Sequence, residues 1–183
     1  KWLWTTFSED QVDLNFSNPK VLIEILRVML SYAEKGASML RLDAIPYAWK
    51  IPGTSCIHLD EVHRLVKLFR DVYEAAAPHV RLLSETNVPH NENLAYFGEE
   101  YDEAHMIYNF TLAPMILWSI MRGDATKLAE WARNLEVVAD HATYLNITAT
   151  HDGIGVRPTE EILTNEERQE LVQHVLEHDG LMS

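Results

Sequence analysis

The hydrophobic positions of this chain switch repeatedly between a helical period and short apolar runs. From Pro19 to Gly36 the residues Leu22, Ile25, Leu26, Met29 and Ala33 recur three and four apart, which predicts an amphipathic helix. Asn18-Pro19 supplies its start, an N-cap followed by a proline whose missing N–H costs nothing in the first turn. Gly36 supplies the stop. A strand is predicted over Ser38 to Ala44, then a loop from Tyr47 to His58 with Pro52-Gly53 as a turn signal. A second helix runs from about Asp60 to Ala77, with Val62, Leu65, Val66, Phe69, Val72, Tyr73 and Ala76 on one face and Pro78 ending it. Strands follow at Val80 to Ser84 and His105 to Phe110, separated by a polar loop holding Gly98. One or two helices cover Ala113 to Glu136, a last strand covers Thr143 to Thr150, and an amphipathic helix begins near Asn165.

Strands alternating with helices imply βαβ units and a parallel sheet. Four such strands are half of a (β/α)₈ barrel, which takes about 250 residues when complete. A small open doubly wound sheet would use the same elements. What favours the barrel is the placement of three carboxylates, Asp43 in MLRLDAIPYAWK, Glu85 in VRLLSETNVPH and Asp152 in YLNITATHDGIGVRP. Each follows an apolar run, and barrels build active sites from side chains at the C-terminal ends of successive strands. Carboxylates converging on one pocket are the equipment for breaking a glycosidic bond.

Period-two alternation puts Met39, Arg41 and Asp43 on one face of their strand and Leu40, Leu42 and Ala44 on the other. Arg41 is therefore expected beside Asp43, where its charge favours the ionised acid that a nucleophile needs. Glu85 has no basic neighbour in adjacent positions and is expected to hold its proton and act as a general acid. Asp152, next to His151, suits hydrogen bonds to sugar hydroxyls or stabilisation of positive charge at the reacting carbon.

Composition narrows the partners. Among 183 residues there are 28 acidic and 15 basic, a net charge of −13, which opposes binding to nucleic acid or to an anionic membrane surface. No apolar run is long enough for a membrane span, and no signal-like segment opens the chain. The single cysteine, Cys56, allows no internal disulfide; with a reducing compartment as the default, a cytoplasmic location is expected. Cys56 is read as a small buried or loop residue. The sequons at Asn15, Asn109 and Asn146 are read as chance matches, two of them falling within or at the end of strand-like runs.

These residues resemble the α-amylase family of retaining α-glycoside hydrolases and transglycosidases, and within it the sucrose phosphorylase-like branch. Arg41-Leu42-Asp43-Ala44 is similar to the family's R-x-D-A segment, Gln11-Val12-Asp13-Leu14-Asn15 to the stretch closing its inserted domain B, and His151-Asp152 to its late H-D pair. The stretches DAIPYAWKIPGTSCIH and THDGIGVRP resemble the phosphorylase branch more than ordinary amylases. The resemblance implies a partial (β/α)₈ TIM barrel of about strands four to seven with flanking helices. Residues 1–18 would end domain B and enter the barrel, and 19–183 would be part of the catalytic domain. It implies Asp43 as nucleophile, Glu85 as acid/base and Asp152 as transition-state stabiliser. Arg41, Tyr47, Asn87 and His151 would be substrate-binding. Asn87 stands where many sucrose phosphorylases carry histidine, and ETNVPH looks closer to relatives acting on glucosylglycerate or phosphorylated sucrose. The implied reaction is retaining α-glucosyl transfer from sucrose or a related α-glucoside to phosphate, and the implied partners are a small sugar and inorganic phosphate, with no cofactor and no metal. Simple hydrolysis, with water in place of phosphate, is the alternative chemistry. The early barrel strands, strand eight and the C-terminal domain of the family have no counterpart in these residues. The chain by itself is therefore expected to be inactive and to self-associate.

One motif competes. His174-Val175-Leu176-Glu177-His178 spells H-x-x-E-H, whose histidines share a helix face and are spaced to bind zinc in a protease. Favourable interaction with a helix C-terminus is the plainer role for them. Trp2, Trp4, Trp49, Trp118 and Trp131 are candidates for stacking on sugar rings, with Trp118 and Trp131 better suited to core packing.

Overall fold

The computed structural model describes residues 3–136 and 139–182. Trp2 lies outside them. The order is α1 (Pro19–Glu34), β1 (Met39–Leu42), α2 (Asp60–Ala76), β2 (Arg81–Ser84), α3 (His90–Leu94), β3 (Met106–Asn109), α4 (Leu112–Arg122), α5 (Thr126–Asn134), β4 (Thr143–Asn146) and α6 (Asn165–Glu177). The strands form one sheet in the order β1-β2-β3-β4, and β1 pairs parallel with β2 as β2 does with β3. Strand order follows chain order with no reversal. A doubly wound sheet reverses at a switch point, so this α/β fold is that of a TIM-barrel segment.

The chain divides into two compact units, Lys1–Thr86 with Tyr96–Ile107, and Asn87–Ala95 with Tyr108–Ser183. In the first, Asn18 caps α1 by accepting from the Lys20 N–H at 3.1 Å. Gly36, at φ 93°, takes the left-handed conformation just past its end. Among the residues of α1 only Met29 is buried, and Ile23, Val28 and Tyr32 are exposed. In contrast, α2 buries Val62, Leu65, Val66, Phe69 and Tyr73 on one face. Its Arg70, also buried, donates to the Glu103 carbonyl at 3.1 Å. His63 on the same helix meets the buried Glu103 carboxyl at 2.9 Å. His105 Nδ1 accepts the Leu82 N–H at 3.0 Å, which makes His105 a buried structural acceptor.

The second unit has its own core of Met115, Trp118, Leu163 and Leu171, flanked by Leu117, Met121, Leu128, Val156 and Ile162. Thr164 and Glu167 form a reciprocal capping box that starts α6. Asn109 donates to the Asn146 side chain at 2.9 Å, joining the ends of β3 and β4. Among the described residues, no helix is long and apolar enough to cross a membrane.

Two expectations need correction. The last strand stops at Asn146, not Thr150, although Ile147, Thr148 and Thr150 are β-branched. Strand propensity is weak without a ladder partner, and here the chain turns instead, with Thr150 bridging back to Gly153. The polar loop around Gly98 also contains α3 and a 3₁₀ turn at Ala95–Phe97.

Candidate active site

Register brings two of the acids together. Leu42 pairs with Ser84, so Asp43 and Glu85 are the first residues beyond the C-terminal ends of neighbouring parallel strands. The Glu85 N–H donates to the Leu42 carbonyl at 3.1 Å, extending the ladder by one step. Arg41 spans the two side chains, with Nη1 2.5 Å from Asp43 Oδ1 and Nη2 3.7 Å from Glu85 Oε1. The absence of a basic neighbour for Glu85 therefore holds only along the sequence. Across the sheet it shares the cation expected for Asp43 alone. Glu85 Oε2 also accepts the Ala44 N–H at 2.8 Å. The Glu85 side chain is 14% exposed and that of Asp43 is 72% exposed. One carboxyl is held and enclosed while its neighbour is open to solvent.

Sequence reasoning missed Ala44. It adopts φ 44°, ψ 36°, the left-handed region that L-residues avoid, directly after Asp43. No residue type at this position signals it, since alanine carries no turn preference of its own.

After Ala44 the chain enters a 3₁₀ turn, Ile45–Tyr47. Tyr47 packs edge-on against Phe7 at 5.4 Å and lies 5.6 Å from the Lys50 ammonium. Lys50 in turn pairs with Asp13 at 2.9 Å and stands 5.8 Å over the Trp4 ring. The QVDLN stretch is thus tied to the segment behind Asp43. Burial opposes ionisation of Asp13, but hydrogen bonds from Thr6 and Lys50 outweigh it and hold the carboxyl below its ordinary range. Further along, Cys56 is buried, with its thiol directed at the Ile51 carbonyl. Trp49 is half-buried.

The other expected site residues belong to the second unit. Asp152 and His151 sit in the turn between Thr150 and Gly153, with His151 Nε2 3.4 Å from Asp152 Oδ2 and both side chains well exposed. Asp152 therefore follows a loop, not a strand end. Asn87 is exposed, and its amide lies over Gly155: a Cβ at Gly155 would come within 2.8 Å of both amide atoms. His90 stacks on Tyr144 at 6.3 Å and meets Trp131 edge-on at 6.4 Å. Desolvation lowers the pKa of His90, against the opposing pull of Glu161 and Glu136. Trp118 is buried in the core cluster and Trp131 is half-buried beside His90, so both serve packing.

The H-x-x-E-H residues lie at the end of α6. His178 Nδ1 bonds the His174 carbonyl at 2.8 Å, a helix-end contact. Among the described residues, no group of three potential ligands could hold a metal ion.

Parallel βα units with two acids just past neighbouring strand ends define a segment of a (β/α)₈ barrel. The chain belongs to the α-amylase family: the model of the α-amylase catalytic domain matches residues 1–154. It is 51% identical over 180 residues to the glucosylglycerate phosphorylase of Allomeiothermus silvanus, covering 98% of this chain and 32% of that protein. It is 48% identical over 181 residues to the glucosylglycerate phosphorylase of Spirochaeta thermophila, covering 99% of this chain and 31% of that protein. The chain thus spans about a third of the length of the curated relatives it matches. A solved structure, the sucrose 6F-phosphate phosphorylase of Thermoanaerobacter thermosaccharolyticum, shares the fold. Its TM-score is 0.83 at 22% identity, over 98% of this chain and 36% of that one.

Proposed function

We propose that the protein containing this chain is a glycoside phosphorylase that cleaves glucosylglycerate by retaining α-glucosyl transfer to inorganic phosphate. The observation that carries the substrate is the 51% identity, across nearly the whole chain, to a glucosylglycerate phosphorylase. In the (β/α)₈ barrel, β1 to β4 would be strands four to seven. Asp43 attacks the anomeric carbon while Glu85 gives a proton to the glycerate oxygen, which leaves as the free hydroxy acid. Phosphate then attacks the glucosyl carbon from the face that glycerate vacated and passes its proton to Glu85, which restores the acid, releasing Asp43 and giving α-glucose 1-phosphate. Two inversions give net retention.

The geometry supports this division of labour. Arg41 pairs tightly with Asp43 and more loosely with Glu85, so its cation lies closest to the proposed nucleophile. Enclosure of Glu85 suits an acid that must deliver its proton to substrate and not to bulk water. By resemblance, Asp152 would steady positive charge at the sugar ring, with His151 and Tyr47 contacting the sugar and Asn87 facing the acceptor.

The test is product analysis with the complete protein, supplied with glucosylglycerate or sucrose, with and without phosphate. Phosphate-dependent glucose 1-phosphate from glucosylglycerate is expected. Free glucose at equal rates without phosphate would make the enzyme a hydrolase, and turnover of sucrose alone would move the donor to that sugar.

A further inference from the structure

We propose that Ala44 is a positioning residue for Glu85, acting through its main-chain N–H. This deepens the proposed function and rests on Glu85 being its acid/base. A glutamate side chain has three rotatable bonds, and leaving them free at a reacting centre scatters the carboxyl over several positions. Here the chain narrows them from one neighbouring strand end. Glu85 N bonds the Leu42 carbonyl, Arg41 approaches Oε1, and the Ala44 N–H donates to Oε2 at 2.8 Å.

The last contact comes from the peptide unit joining Asp43 to Ala44, so the carboxyl of one acid is referenced to the backbone of the other. To leave β1 with that unit facing Glu85, the chain reverses at once into the Ile45–Tyr47 turn, whose Tyr47 N–H returns to the Ala44 carbonyl at 3.1 Å. The reversal falls on Ala44 at φ 44°. A non-glycine residue held there is strained, and such strain persists where the surroundings over-determine it.

The contact also distinguishes the two carboxyl oxygens. The Ala44 N–H occupies Oε2, which leaves Oε1 as the oxygen to carry the proton that the proposed acid transfers. That is the oxygen near Arg41 but beyond hydrogen-bond distance from it, at 3.7 Å.

Replacing Ala44 by lactic acid in the complete protein swaps this one N–H for an ester oxygen and keeps the methyl group. Its kcat/KM for glucosylglycerate, whose leaving group needs the proton, should fall about ten- to a hundredfold, the scale of a misplaced catalytic group. For α-glucosyl fluoride, whose leaving group needs little help, it should stay within about threefold. Ala44→Gly keeps the N–H and accepts positive φ, so it should keep the parent's ratio between the two substrates. In ¹⁵N-alanine-labelled protein the Ala44 amide proton should move upfield on Glu85→Met, which removes the acceptor and keeps the side-chain length, a readout independent of the ester's folding. Equal losses on both substrates, an unchanged ratio in the ester, or an unmoved amide would overturn the proposal. Glu85→Gln run alongside separates the two ideas: if that variant does not discriminate between the substrates, the acid role of Glu85 itself falls.

Discussion

Replacing Arg41 by methionine separates catalysis from stability at this site. The substitution removes the guanidinium and keeps most of the aliphatic stem. Its pair with Asp43 is short, but the Asp43 side chain is 72% exposed, so screening limits its contribution to stability to about 0–1 kcal/mol. The approach to Glu85 is 3.7 Å with that carboxyl 14% exposed. Glu85 is the proposed proton donor and this contact is long, so it adds no more than the first. Together Arg41→Met should cost about 0–2 kcal/mol of stability, a shift of a few degrees at most in the melting temperature of the complete protein. Activity should suffer more. Asp43 would lose the cation beside it, and removing one preorganised electrostatic partner costs about 10²–10³ in kcat. The assay is steady-state phosphorolysis beside a thermal melt. A kcat within tenfold of the parent would refute the role given to Arg41. A large loss of melting temperature at unchanged kcat would make it a structural ion-pair residue.

Other predictions follow from the segments around the site. Asp13 has a depressed folded pKa, so its stabilisation is present above the ordinary aspartate value of 3.8 and is lost as pH falls through the folded value. The melting temperature of Asp13→Asn should lie below that of the parent at pH 7 and approach it as pH falls below 3.8 and through the folded value; a constant gap would refute this. Gly155→Ala should displace the Asn87 amide and change the ratio of kcat/KM between glucosylglycerate and sucrose by about tenfold, some 1.4 kcal/mol, with an unchanged ratio as the contrary result. The 183-residue chain alone should self-associate through the exposed apolar residues of α1 and the exposed Met39 at β1, as light scattering on a size-exclusion column would read. A monodisperse monomer would count against it.

Where local chemistry decides the structure, the chain was legible. Asn18, Pro19 and Gly36 bracket α1 to within two residues, because cap and stop act on the backbone next to them. The apolar face of α2 emerged from spacing alone, and Asp43 and Glu85 stand directly past their strands as their place after apolar runs implied, although β1 ends at Leu42, short of the expected Ala44. Long-range pairing decides the rest. Arg41 reaches Glu85 only through the Leu42–Ser84 register, which no adjacent position reveals. The segment Ile147 to Thr150 reads as strand by composition yet leaves the ladder, so Asp152 ends a loop. Ala44 gives no sign of its left-handed backbone, since the contacts holding it come from elsewhere in the fold.

The central claim is that Asp43 carries the glucosyl group. The direct measurement is to treat the Glu85→Gln form of the complete protein with α-glucosyl fluoride in the absence of phosphate, quench, and map the modification by tryptic mass spectrometry. Cleavage after Arg41 and Lys50 isolates LDAIPYAWK, which contains Asp43 as its only carboxylate side chain. One glucosyl unit on that peptide, removed again when phosphate or azide is added, is the predicted result. A glucosyl unit on a peptide containing Asp152 or any other residue would contradict the account, as would turnover with no covalent species at all.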